Sequence, residues 1–139
     1  MTPRRACPDD APACAAIVRA WLDRTDWMPE GPDLRTLEEA MRAAFAEREV
    51  WVVGDPAEGY LSFDPGTSHV RGLYVGRPGA GIGRALLDRA KEGRDRITLD
   101  THVPNRDAHR FYAREGFRVI ETDRAGSDGV PELRMEWRR

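Results

Sequence analysis

Cysteine, lysine and histidine are all scarce in this chain of 139 residues, and neither sign of charge dominates. The only cysteines, Cys7 and Cys14, stand close together near the N-terminus, in no metal-ligand spacing and with no histidine nearby. They read as small reduced side chains rather than a disulfide framework. Three scattered histidines without ligand spacing argue against a metal. With 22 basic against 24 acidic side chains the net charge is −2, which gives no electrostatic footprint for nucleic acid or an anionic membrane. No apolar run approaches a membrane span, and Met1–Pro8 lacks the apolar stretch of a secretory signal, so a cytoplasmic protein is expected. Lys91 is the only lysine, which we read as codon bias. No repeat, linker or low-complexity segment divides the chain. A single domain over 1–139 is long enough to bury a core without staples.

What the chain does have is Leu73-Tyr74-Val75 followed by Gly79-Ala80-Gly81-Ile82-Gly83-Arg84, a strand delivering a glycine loop into a helix. Glycine lets backbone approach an anion without Cβ clashes, and the first helical turn aims unpaired N–H groups and the positive end of the dipole at that anion. A P-loop needs a lysine and a hydroxyl after its last glycine, and the dinucleotide fingerprint needs two residues between its last two glycines. This loop has neither.

Around the loop, Asp9 or Asp10 can cap a helix carrying Cys14, Ile17, Val18, Trp21 and Leu22 on one stripe. A second helix follows on Leu34, Leu37, Met41, Ala44 and Phe45. Val50–Val53, Tyr60–Phe63 and Val70–Val75 read as a strand meander. Beyond the glycine loop come a helix to about Glu92, a strand Ile97–Thr101, a helix Arg106–Arg114 and strands near Phe117–Thr122 and Glu132–Trp137. The order ααβββαβαββ predicts a mixed α/β fold: a mostly antiparallel central sheet of about six to seven strands flanked by helices. The unit from Val70 to Thr101 should pair in parallel through a right-handed crossover.

This order and two motifs resemble the GCN5-related N-acetyltransferase (GNAT) family over nearly the whole chain. The family's acyl-CoA motif runs Arg or Gln, two residues, Gly, one residue, Gly or Ala. Gly81-Ile82-Gly83 matches it, while Pro78 holds the basic position and Arg77 stands one residue early, a departure that bears on one pyrophosphate contact. Asn105, Ala108, Tyr112 and Gly116-Phe117 match the second motif in spacing and identity. Trp27-Met28-Pro29 is similar to a subset of these enzymes whose substrates are mostly unassigned.

The resemblance implies acetyl-CoA as cofactor, held by Leu73, Tyr74, Val75, Gly79, Ala80, Gly81, Ile82, Gly83, Arg84, Asn105 and Tyr112. The pantetheine arm would add to the edge of Tyr74 and Val75, where the family's two parallel strands splay. Acetyl transfer to an amine needs a neutral nucleophile, oxyanion stabilisation and a proton for the thiolate. Tyr112 is the expected proton donor, since a phenol of pKa about 10 stays protonated near neutrality. The backbone N–H of Val75 is the expected oxyanion donor. Asp100 and, on the same strand face, His102 are the candidates for the base, and Trp27, Met28 and His102 for the acceptor site. Asn105 ahead of a helix also reads as a cap, and His69 and His109 read as surface residues.

Three readings follow: an N-acetyltransferase acting on a small-molecule or peptide amine, an acyl-CoA sensing module of the same fold without turnover, and an unrelated α/β protein whose loop holds a phosphate. The sequence leaves the oligomeric state open, with a strand edge near Leu133–Trp137 as the route a homodimer could take.

Overall fold

Alternate residues of the central strands sort the interior into two cores. Val50, Val52 and Tyr60 point to one face, with Cys14, Ala15, Val18 and Leu37; Trp51, Val53, Leu61 and Phe63 point to the other, with Leu86, Leu87, Ile97, Leu99 and Met135. That period of two, apolar on both phases, is what a strand buried on both faces requires. The computed structural model describes residues 1–139. Its elements are β1 (Arg4–Arg5), α1 (Ala11–Asp23), α2 (Leu34–Glu47), β2 (Glu49–Val53), β3 (Gly59–Asp64), β4 (His69–Val75), α3 (Ile82–Lys91), β5 (Arg96–His102), α4 (Arg106–Arg114), β6 (Arg118–Arg124) and β7 (Glu132–Arg138). The strands form one sheet in the order β1-β2-β3-β4-β5-β7-β6, antiparallel except for β4 with β5. No helix is long and apolar enough to cross a membrane.

The expected order holds, with one strand added. Two arginines carry no strand signal, yet β1 pairs Arg4 with Val52 and Arg5 with Trp51. Arg4 is fixed there by Asp10 at 2.7 Å and by the Gly54 carbonyl at 3.0 Å. Asp10 therefore does not cap α1 as expected: its carboxylate takes the Arg4 guanidinium and the Cys7 N–H. Asp33 does cap α2, accepting from the Thr36 N–H at 2.9 Å.

The strand Glu132–Arg138 is not an edge. β7 lies between β5 and β6, pairing Leu133 with Thr101 and Trp137 with Ile97, so the expected contact through Leu133–Trp137 has no free edge to use. The edge at that end of the sheet is β6, whose register with β7 shifts between Val119 and Glu121 and again between Glu121 and Arg124, irregularities that blunt strand addition.

Candidate active site

The site begins with a bulge. Ser62 faces Gly72 but Phe63 faces Val70, so Arg71 is an extra residue in β4. A bulged strand bends, and β4 keeps only the pairs His69 with Thr98 and Val70 with Leu99 before it parts from β5. Gly76 donates its N–H to the Glu58 carbonyl at 2.7 Å. In an antiparallel ladder, bonded pairs alternate with non-bonded ones, so Val75 and Leu73 turn their N–H and C=O groups away from β3, into the gap. By the same alternation Tyr74 turns its backbone toward β3.

The glycine loop closes one end of this gap. No backbone N–H from Gly79 to Arg84 is donated within the protein; Ala85 is the first to bond back, to the Gly81 carbonyl at 3.1 Å. Gly79 and Gly81 take φ of +82° and +81°, a region L side chains avoid, and a Cβ at either would meet nothing within 4 Å. Gly83 lines the cleft as well and has a second constraint. A Cβ there would meet Cζ of Phe111 at 3.0 Å, so this glycine serves the approach of α3 to α4. Ile82 lines the cleft with its side chain buried in the core, whereas Ala80 packs against that core and does not line the cleft. Arg77, one residue early in the motif, is held by Glu58 at 2.9 Å. The cleft they bound has a volume of about 550 Å³. A row of free N–H groups at a helix start, beside an unpaired strand edge, fits a group carrying a diphosphate and a chain of amides.

A second cleft, of about 730 Å³, opens on the other side, and Leu73, Val75 and Tyr112 line both. Tyr112 is buried between Phe111 and Phe117, at ring-centroid distances of 5.3 and 5.8 Å. Burial pushes its phenol pKa up, helped by Tyr74, so the hydroxyl stays protonated. No buried side-chain oxygen or nitrogen lacks a partner.

The wall of the second cleft gathers residues far apart in sequence. His102 Nε2 lies 2.7 Å from an Asp128 carboxylate oxygen and 3.6 Å from one of Glu132. The ligand atoms of these three lie within 4.8 Å of one another, a set able to hold a cation that no linear spacing announced. Burial raises the Glu132 pKa, and Asp100 and Asp128 add to it. Trp21 stacks on His102 at 6.1 Å and meets Tyr74 edge-on at 5.4 Å. Trp27 packs behind them, 5.3 Å from His102, and neither it nor Met28 lines the cleft.

Asp100 faces the same cleft but is engaged. Arg134 grips it through two bonds of 2.8 and 3.1 Å, with His69 at 3.5 Å and Arg124 at 3.7 Å. Burial raises its pKa, and the Arg134 bonds and charge outweigh that, holding the carboxyl below its ordinary range. Asn105 lines the cleft while its Oδ1 caps α4, accepting from the Ala108 N–H at 3.3 Å. Neither other histidine is a free surface residue. His69 is buried on Thr98 at 2.7 Å, and His109 Nε2 meets the His102 carbonyl at 3.0 Å. Trp21 is a cleft residue that sequence reasoning places only in a core stripe, and Tyr74, expected at the cofactor, turns to this cleft. Only the size of Trp21 at the end of its stripe hinted otherwise.

A family model described as acetyltransferase (GNAT) domain matches residues 30–139. In sequence the chain is 24% identical over 130 residues to peptidyl-lysine N-acetyltransferase YiaC of Escherichia coli (strain K12), covering 88% of each protein. In structure it is similar to YjaB from Escherichia coli, with a TM-score of 0.79 at 24% identity over 98% of this chain and 96% of that one. It is also similar to yncA from Salmonella typhimurium, solved with its cofactor acetyl-CoA, with a TM-score of 0.73 at 22% identity over 99% and 92%.

Proposed function

The chain belongs to the GNAT acetyltransferase family, and on that premise we propose that it moves an acetyl group from acetyl-CoA directly to an amine. The observation that carries this reading is the position of Tyr112 and Val75 on the wall shared by two clefts, one floored by free N–H groups and the other lined by His102, Asp128 and Glu132. Bound acetyl-CoA supplies the acyl group as a thioester whose thiolate must leave protonated.

The amides of residues 79–84 bind the diphosphate, and the free edge of Leu73 and Val75 takes the amide arm. Val75 donates its N–H to the charge that develops on the acyl oxygen. Tyr112, kept protonated by burial, gives its proton to sulfur. Asp128 and Glu132 attract the acceptor as an ammonium ion. His102 donates Nε2–H to Asp128, which leaves Nδ1 as the lone pair that receives the amine's proton. Asp100, tied to Arg134, orients the wall instead of acting as the base. The acceptor class is a cationic primary amine, with peptidyl lysine included because one relative carries that name.

Thiol release from acetyl-CoA is the direct test, measured over a panel of lysine peptides, polyamines, amino acids and aminoglycosides. Turnover with at least one cationic amine, reduced in Tyr112→Phe with cofactor affinity kept, is expected. Tight cofactor binding with no turnover on any amine would leave the sensing module instead.

A further inference from the structure

Charge on the wall of the second cleft is unevenly met. Asp100 has three basic side chains within salt-bridge reach, His69, Arg124 and Arg134. Asp128 and Glu132 have one between them, the His102 imidazole at 2.7 and 3.6 Å. In a chain with 22 lysines and arginines, none of these comes within salt-bridge reach of the two carboxylates. Two half-buried carboxylates gathered on one imidazole need a cation from outside the chain.

The three donors are also held in place. His102 and Glu132 are direct partners across β5 and β7. Asp128 stands on a tight turn: Gly129 donates its N–H to the Gly126 carbonyl at 3.1 Å, Val130 donates its N–H to the Asp128 carboxylate at 3.0 Å, and the Val130 carbonyl leaves Gly126 no room for a Cβ. Trp21 and Trp27 pack on the imidazole. The three ligand atoms lie within 4.8 Å of one another. Zinc with donors at about 2.0–2.2 Å holds them about 3.0–3.5 Å apart when tetrahedral. The separations of 2.7 and 3.6 Å from His102 bracket that spacing, so small side-chain rotations suffice. Side-chain exposures of 15, 27 and 20% leave water able to complete the coordination.

We propose that His102 Nε2, Asp128 and Glu132 bind a divalent transition-metal cation of the zinc type, and that the bound metal closes the second cleft to amines. One imidazole with two carboxylates suits such a cation, whereas magnesium and calcium take six or more oxygen donors. When Nε2 gives its lone pair to the metal, the imidazole proton sits on Nδ1. The atom that would receive the amine's proton then has no lone pair to offer, and the carboxylates that would draw the ammonium are coordinated. The blocking role rests on the acetyl-transfer reading; the metal site itself does not.

The test is calorimetric titration of zinc chloride into the full chain, on a Cys7→Ser background that removes the exposed thiol. One zinc per chain should bind, and magnesium chloride in excess should not displace it. Asp128→Asn, Glu132→Gln and His102→Ala should each weaken zinc about tenfold or more; the first two keep side-chain size and so keep the fold. In steady-state assays of acetylated product, zinc should raise KM for the amine and leave KM for acetyl-CoA unchanged. No zinc uptake, or uptake that all three variants keep, overturns the site. Uptake that the variants lose, with amine KM indifferent to zinc, overturns the blocking role. If no amine turns over, the acetyl-transfer reading and the blocking role fall together, and the titration still decides the metal site.

Discussion

His102 and Asp128 meet at 2.7 Å although one ends β5 and the other lies in the loop before β7. The loop is anchored for this contact, since the Val130 N–H donates to the other Asp128 oxygen at 3.0 Å. A carboxylate on Nε2 fixes the imidazole tautomer and leaves Nδ1 as the acceptor. His102→Ala should lower kcat/KM for the amine about a hundredfold, the ordinary scale of a general base, at saturating acetyl-CoA. Asp128→Asn should cost about tenfold in kcat/KM for the amine and leave acetyl-CoA affinity unchanged, whereas a merely structural role would weaken both.

Tyr112→Phe should reduce kcat about tenfold to a hundredfold and leave acetyl-CoA affinity near wild type, because the ring keeps its packing on Phe111 and Phe117 and only the proton is removed. Burial raises the phenol pKa, so its protonated form survives well past the usual titration range. The kcat–pH profile should accordingly show no fall from loss of the Tyr112 proton between pH 8 and about 10, the reference phenol value. A decline there that Tyr112→Phe abolishes contradicts the assignment.

The glycines of the loop divide by cause. Gly81→Ala keeps ample space for its Cβ but forces an L side chain to φ of +81°, a strain of about 1–2 kcal/mol. Coenzyme A affinity should drop with little change in packing. Gly83→Ala drives a methyl to 3.0 Å from the Phe111 ring, so a lowered melting temperature of the cofactor-free protein is its expected signature. Calorimetry on the first variant and thermal unfolding of both separate the two cases.

These variants also mark what could be read from the chain alone. The three glycines carry one sequence signal but two physical functions, and only the Phe111 contact tells Gly83 from Gly81. Every helix and every long strand was legible because period 3.6 or period 2 survives in residues such as Leu86, Leu87, Val50 and Trp51. β1 was not, because Arg4 and Arg5 are held by neighbours rather than by a pattern. Tyr112 and the free N–H groups were legible because a local motif fixes them. The His102, Asp128 and Glu132 cluster was not, since the pairing of Glu132 with His102 across β5 and β7 is a matter of strand order, and the linear reading had β7 at an edge.

The engaged carboxylates set the acid limit of the fold. Asp100 under Arg134, Asp10 under Arg4 and Glu136 between Arg138 and Arg96 all have pKa values held below the ordinary range, that of Glu136 down to about 2. A group depressed in the folded state contributes stability that is fully present above its unfolded pKa, about 3.9 for Asp and 4.3 for Glu, and that is lost as pH falls through its folded value. Melting temperature should therefore be flat in pH for these groups above about pH 5 and fall steadily below 4. Asp100→Asn removes the carboxylate that bridges Arg134 and Arg124, of which Arg124 still has Glu121, so it should lower stability at pH 7 and flatten the acid limb. Because Asp100 and Arg124 line the acceptor cleft, the same variant should raise KM for the amine more than it lowers kcat. The opposite split, with kcat lost and KM kept, would return Asp100 to the role of the base.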